Sequence, residues 1–344
     1  MAFLTVGDPR RLTGGYLYHR EVFARWRARG LAVDELMLGS ADLGAQLAAA
    51  PMVAEQFDPR PYTWVMVDAL ARAVCAPSLD RWRAQRPLVA MIHELPSVAG
   101  ADTPAERARE APLLRADAVI AVSADGAAIL RARGVPAERI TIASGGLDRL
   151  QRYRNPNPPV HLPEPARVLC VAQWIPRKGL LELATAWVAT ARAGWQLELV
   201  GENEADPAYA AAVHAVLAAA PPGSVLVRGP LSDAELALAY QRATLFAMPS
   251  HYEGYGIAFA EALFYGLPVL GCAVGPVPAL VGPAGLLVAP RDQQALNAAL
   301  AHLLEHAMVR QQLAQVAREQ AASLPTWDQT AAQVLAALQA VASQ

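Results

Sequence analysis

The sequence predicts an α/β fold built as two parallel-sheet domains, and three observations lead there. Short apolar runs alternate with amphipathic stretches along the whole chain, the pattern of strand–helix–strand units with right-handed crossovers. The 344 residues exceed what one hydrophobic core usually serves, so two domains of roughly 150–180 residues are expected. Between the halves, QRYRNPNPPVHLPEP (151–165) is too rich in proline for a helix or a central strand and reads as a semi-rigid linker. The expected domains are therefore 1–150 and 166–325, followed by a final helix over 326–344.

In order, AFLTV (2–6) reads as the first strand, and the loop GDPRRLTGG leads into a helix over about 16–29. Gly14 and Gly15 at that junction would either turn the chain or let backbone amides approach a phosphate. Strands recur near 31–38, 64–68, 88–93, 118–122 and 139–142. His93 closes the strand PLVAMIH at its carboxyl end, where open α/β sheets place their ligands, with an ordinary core or surface histidine as the alternative. Ser123 stands at the N-cap position of the next helix. In the second half RVLCVA (167–172) opens a sheet that continues near 195–201, 224–228 and 244–249. Helices are expected over 180–192, 207–220, 232–242, 291–306 and 307–322.

Composition excludes several classes of function. A net charge of −2 and a pI near 6.4 give no nucleic-acid footprint. Cys75, Cys170 and Cys272 are odd in number and lack C-x-x-C spacing, which points to a reduced, cytoplasmic setting without a structural disulfide or zinc site. The N-terminus has no long apolar core of a signal peptide. Residues 262–290 carry no charge, but glycines and prolines interrupt them, so buried strands and turns are expected there and not a membrane span. Arg25, Arg27, Arg29, Arg81, Arg83 and Arg86 read as solvated helix faces, with peripheral contact to an anionic membrane at its inner face as the other reading. His302-Leu303-Leu304-Glu305-His306 matches the H-x-x-E-H pattern of inverted zinc peptidases. Such a site needs a distal acid and a cleft, whereas this stretch lies among alanines, leucines and glutamines; a solvated helix face is expected.

Two features carry chemistry. Lys178, in the loop QWIPRKG after the 167–172 strand, is the single lysine among 29 basic residues. A lysine kept where arginine is otherwise used suggests a need for a compact ammonium, with chance survival as the alternative. The second feature is PSHYEGYGIAFAEALFYGLPVL (249–270): a strand end, a turn with Gly254 and Gly256, then a helix carrying Glu261. Amides from Gly254 through Tyr255, Gly256 and Ile257 to about Ala258 lie at the helix N-terminus, which favours an anion such as phosphate. Glu253 and Glu261 bracket that site and are suited to accept from hydroxyls, which suits a sugar, a diphosphate and a ribose in sequence. An ordinary βα unit with two surface acids is the alternative. A dinucleotide fingerprint fails, because Phe259 stands where its third glycine belongs.

The E-x7-E pattern after Pro249-Ser250, with Gly266-Leu267-Pro268 entering the next strand, resembles the donor site of family 4 retaining glycosyltransferases of the GT-B fold. The likeness runs through nearly the whole chain. It implies two Rossmann-like domains facing each other across a cleft, and a last helix that returns to the first domain. It further implies that Glu253 meets the donor sugar's hydroxyls, Glu261 holds the nucleotide ribose, and Gly14 and Gly15 face the diphosphate. His93 would lie near the anomeric region, and the Gly229-Pro230-Leu231 turn would grip the nucleobase largely through backbone groups. Lys178 would neutralise the diphosphate with an arginine five residues earlier. Here that position is Gln173, so Arg177, Arg10 or Arg11 is expected to supply the second cation; Ala279 likewise stands where an acid is common. The resemblance implies a nucleotide-sugar donor, no metal or other cofactor, and an acceptor (saccharide, lipid-linked or small molecule) that the sequence does not identify. A GT-B epimerase, a phosphorylase and a non-catalytic nucleotide-sugar binder are the alternatives.

Overall fold

The computed structural model describes residues 1–11, 13–155 and 164–342, so positions 156–163 of the expected linker lie outside the described residues. The chain forms two compact units, residues 1–145 with 327–344, and residues 146–326.

The first unit is built on a six-stranded sheet. Its strands are β1 (Ala2–Thr5), β2 (Asp34–Met37), β3 (Val65–Asp68), β4 (Leu88–Ile92), β5 (Ala118–Ala121) and β6 (Ile140–Ile142), in the order β2-β1-β3-β4-β5-β6. All five pairings are parallel. A parallel sheet covered on both faces needs unbroken apolar strands, and VMVD, LVAMI and AVIA are buried at every position. The edge strand DELM is mostly exposed and carries two acids, which blunts the edge. The helix Trp327–Ala342 belongs to this unit. Trp26 Nε1 donates to the Ala331 carbonyl at 2.9 Å, and the Thr330 hydroxyl donates to the Ser144 carbonyl at 2.6 Å.

The second unit repeats the plan with β7 (Ala166–Val171), β8 (Trp195–Val200), β9 (Val225–Gly229), β10 (Leu245–Met248), β11 (Val269–Cys272) and β12 (Gly285–Val288), in the order β12-β11-β10-β7-β8-β9. Its pairings are again parallel. The charge-free run 262–290 is absorbed as the end of the helix Ile257–Phe264, β11, the short helix Val277–Val281, β12 and their turns, and no described helix is long and apolar enough to cross a membrane.

Each sheet reverses its direction of growth once. The first does so between β1 and β3, the second between β7 and β10. Loops leaving the carboxyl ends of the two strands at such a reversal diverge to opposite faces and leave a crevice for a ligand.

Candidate functional site

In the second unit the two loops at the β7/β10 reversal are QWIPRKG and PSHYEG, and one glycine brings them together. Gly179 has φ +69°, and a Cβ there would strike the Pro249 carbonyl, so only glycine allows this approach. The Arg177 carbonyl accepts from the His251 amide at 2.8 Å, and Arg177 Nη1 donates to the Tyr252 carbonyl at 3.1 Å. Lys178 Nζ then donates to Glu253 Oε1 at 2.6 Å. Burial would raise the Glu253 carboxyl, but the Lys178 and Arg177 charges outweigh it and hold the group below its ordinary value.

The helix Ile257–Phe264 starts immediately beyond, with Gly256 at its N-cap. A side chain at Gly256, φ +102°, would press on Phe259. The Ile257 and Ala258 amides belong to the first turn, where the helix itself offers no acceptor. The Tyr255 hydroxyl is buried without a partner, and burial raises its pKa. An ammonium paired with a carboxylate, next in sequence to a helix N-terminus with unpaired first-turn amides, is a combination that favours an anion.

Glu261 lies in a second cluster, on the same helix. Its Oε1 accepts from Arg149 Nε at 2.9 Å and Nη2 at 2.6 Å, and its Oε2 accepts from the Tyr240 hydroxyl at 3.1 Å. Arg149 also pairs with Asp233. Burial opposes the guanidinium's charge, yet the Glu261 and Asp233 carboxylates prevail and raise its pKa. Oε2 therefore has one lone pair left for a ligand hydroxyl. Pro230, which is exposed, follows Gly229, whose carbonyl accepts from the Gly201 amide at 2.9 Å. Gln173 Nε2 donates to Glu202 Oε2 at 2.8 Å.

In the first unit the helix runs Gly14–Ala28, so Gly14 and Gly15 are its first two residues and not part of the preceding loop. Thr13 at the N-cap has a suitable extended backbone but no side-chain cap bond, which leaves these first-turn amides open. A Cβ on Gly15 would sit 3.5 Å from His93 Cδ2, an ordinary contact. Arg10 is exposed and bound to Asp8 at 3.0 Å.

At the β1/β3 reversal, Thr5 ends β1 and Asp68 ends β3. Asp68 Oδ2 accepts from the Thr5 hydroxyl at 2.9 Å and lies 3.2 Å from His19 Nε2, which is 3.1 Å from His93 Nε2. Burial would raise the Asp68 carboxyl, but its hydrogen bond to His19 and the adjacent His19 and His93 imidazoles outweigh that and lower it. His93 is lowered to about 3, first by burial and then by His19, so its ring is neutral at pH 7.

His19, Asp68 and His93 form the one group among the described residues with metal-ligand geometry, their ligand atoms within 4.8 Å of one another. A metal on His19 Nε2 would force the ring proton onto Nδ1, which is buried without an acceptor. Metal-bound histidines normally donate that second N–H, so the surroundings do not fit an ion. The H-x-x-E-H segment is tied up otherwise: His302 and His306 stack at 4.2 Å, and Glu305 pairs with Arg192. Arg25, Arg27 and Arg29 pair with acids, while Arg81, Arg83 and Arg86 donate to backbone carbonyls.

Sequence reasoning singled out Lys178, Glu253 and Arg177, and the structure brings these three together; it missed Arg149, His19 and Asp68. The signal for Asp68 was available, since an acid ending the buried strand VMVD is the counterpart of a histidine following LVAMI.

Comparison with known proteins accords with this layout. The family model for Glycosyl transferases group 1 matches residues 165–306, and that for Glycosyltransferase Family 4 matches residues 20–149. A D-inositol 3-phosphate glycosyltransferase of Nocardioides sp. is 42% identical over 108 residues, which is 31% of this chain and 23% of that protein. The MMP alpha-(1->4)-mannosyltransferase of Mycolicibacterium hassiacum is 36% identical over 109 residues, 31% of this chain and 26% of that protein. These matches thus span about a quarter of the curated relatives' length. Among solved structures, sucrose-phosphate synthase from Thermosynechococcus elongatus superposes with a TM-score of 0.84 at 24% identity, covering 100% of this chain and 99% of that one. Anabaena HepE in complex with UDP-glucose superposes with a TM-score of 0.80 at 19% identity, covering 99% and 100%. The two parallel sheets are those of the GT-B fold, and the chain belongs to glycosyltransferase family 4.

Proposed function

We propose that this chain is a retaining glycosyltransferase that moves a sugar from a nucleotide-activated donor to an acceptor hydroxyl without a metal ion. The observation that carries the reading is the Lys178–Glu253 pair, 2.6 Å apart beside the first turn of the Ile257 helix. Lys178 and the amides from Gly254 to Ile257 take the diphosphate, with Arg177 adjacent. Glu253 accepts from the sugar's hydroxyls, and Glu261 accepts a ribose hydroxyl on its remaining lone pair. Pro230 and its neighbours meet the base, and Tyr255 offers its hydroxyl to the bound donor. Within the first unit, the open Gly14 and Gly15 amides suit an anion, and His93 suits a sugar hydroxyl. As the glycosidic bond to the diphosphate breaks, negative charge builds on the leaving oxygen, where Lys178 stabilises it. The acceptor oxygen bonds the anomeric carbon on the same face, and its proton passes to that phosphate oxygen.

The test is a donor panel led by UDP-glucose, with a mannosyl donor second, scored for transfer and for slow donor hydrolysis in the presence of a chelator. Hydrolysis or transfer that survives chelation is expected; activity restored only by added divalent cation refutes the metal-free reading. One observation favours a second reading. Gln173 is neutral and donates to Glu202, so position 173 supplies no cation, and Arg177, which also donates to the Tyr252 carbonyl, is left as the second positive charge beside Lys178. A nucleotide-sugar binder without turnover follows if the donor binds and no arm of the panel shows chemistry.

A further inference from the structure

We infer that Asp68 and His19 are positioning residues that hold His93 with its ring proton on Nδ1, so that His93 meets its ligand as a hydrogen-bond donor and not as a base. The argument is an inventory of protons. The Asp68 carboxylate offers only lone pairs. Its Oδ1 accepts from the Leu70 amide at 3.0 Å, and its Oδ2 accepts from the Thr5 hydroxyl at 2.9 Å and faces His19 Nε2 at 3.2 Å. His19 must therefore present N–H at Nε2. That nitrogen then has no lone pair for His93 Nε2, 3.1 Å away. Protons on both nitrogens would point at each other across that gap, so His93 Nε2 carries the lone pair and shares the His19 proton. Its own proton sits on Nδ1.

The arrangement is independent of the charge on His19, because Nε2–H is present in both the neutral ring and the cation. The far side of His19 agrees with it. His19 Nδ1 is buried without a partner, and an unpaired lone pair there costs less than the unpaired N–H that the opposite tautomer or a bound metal would require. The lowered pKa values of Asp68 and His93 fit an ionised carboxylate and a neutral ring. Packing fixes the ring planes: His19 lies against Phe3 at 4.4 Å and Phe23 at 5.7 Å, and Tyr18 meets His93 edge-on at 5.1 Å. The Cδ2 edge of His93 faces Gly15, which turns Nδ1 away from the Gly14 helix.

The consequence for function rests on the reading of His93 as a donor-sugar residue, and the test separates the two. Long-range 1H–15N spectra of the full chain labelled at histidine should show His93 protonated at Nδ1 and bare at Nε2, unchanged by chelator or by added Zn2+. In Asp68→Asn the Leu70 amide keeps the side-chain oxygen at the Oδ1 position, so the NH2 takes the Oδ2 position, donates one N–H to the Thr5 hydroxyl and turns the other toward His19 Nε2. His19 should then become the acceptor, and His93 should move its proton to Nε2 and lose its Nδ1 donor. Transfer kcat/KM should fall at least tenfold, with nucleoside diphosphate affinity within about twofold. A wild-type spectrum with His93 protonated at Nε2, or one that shifts on chelation, overturns the inference and needs no variant to fold. An Asp68→Asn spectrum with an unmoved His93 proton overturns it as well. A switched proton with unchanged transfer upholds the tautomer and refutes the role of His93 in the reaction.

Discussion

Lys178→Ala separates what the ammonium does for the fold from what it does for the reaction. In the unliganded protein Lys178 Nζ lies 2.6 Å from Glu253 Oε1, with the two side chains 16% and 6% exposed. A hydrogen bond to a charged group contributes about 1.5–3 kcal/mol, and stranding a buried carboxylate pushes the loss toward the upper end. Arg177 remains near Glu253 in the variant, so the expected loss of stability at pH 7 is about 2–3 kcal/mol. The sign of the pH dependence follows from Glu253, whose carboxyl is held below its ordinary value. A depressed carboxylate contributes its full stabilisation above the unfolded pKa of about 4.3 and loses it as pH falls through the folded value. Wild type and Lys178→Ala should therefore differ most at pH 7 and converge in acid, at a pH below the folded Glu253 value. Adding Glu253→Gln should recover about 1–3 kcal/mol relative to additivity. Urea unfolding of the full chain at the two pH values measures this, and kcat at pH 7 should fall by roughly 10²–10³ through lost stabilisation of the leaving diphosphate. A stability gap under about 0.5 kcal/mol, or one that persists unchanged in acid, refutes the ion pair; turnover within a few-fold of wild type refutes the catalytic assignment.

Other substitutions probe the neighbouring groups. Glu261→Ala should weaken nucleoside diphosphate binding by about 1–3 kcal/mol, whereas Glu253→Ala should damage turnover of the whole donor and spare the free nucleotide; calorimetry on the nucleotide alone decides the split. Arg149→Met leaves Glu261 and Asp233 without their shared cation and should cost about 3–5 kcal/mol of stability, part of it regained in the double change with Glu261→Gln. Equal urea midpoints for wild type and Arg149→Met would count against that cluster. Gln173→Arg should change kcat less than about threefold, because Glu202 already binds residue 173 and would capture the new guanidinium; a large gain would mean that the wild type lacks a cation and is a weak enzyme or a binder.

The division between what the sequence discloses and what it conceals follows sequence separation. VMVD, LVAMI and AVIA are legible as buried parallel strands because both faces are covered and every position must be apolar. The edge strand is shorter than its expected span, 34–37 within 31–38, because an edge pairs on one side only and its residues face water. The Gly14 helix begins two residues early because glycine in a first turn gives up little and its open amides need no side-chain cap. Lys178 and Glu253 are each legible locally, as a cation and an acid just past the end of a strand. Their meeting needs one fact more, that β7 and β10 are neighbours, and the sheet order supplies it. Nothing local announces Arg149, whose partner Glu261 stands 112 positions away, or the chain from His93 through His19, 74 positions apart. In both cases a polar side chain is buried inside an otherwise apolar setting, and burial without a partner would cost several kcal/mol. Such residues must therefore be paired, and only the strand order says with what. The reversal points of the two sheets supply that order: Asp68 and His93 lie at or beside the ends of β3 and β4, His19 reaches them from the helix that follows β1, and Lys178 and Glu253 follow the ends of β7 and β10.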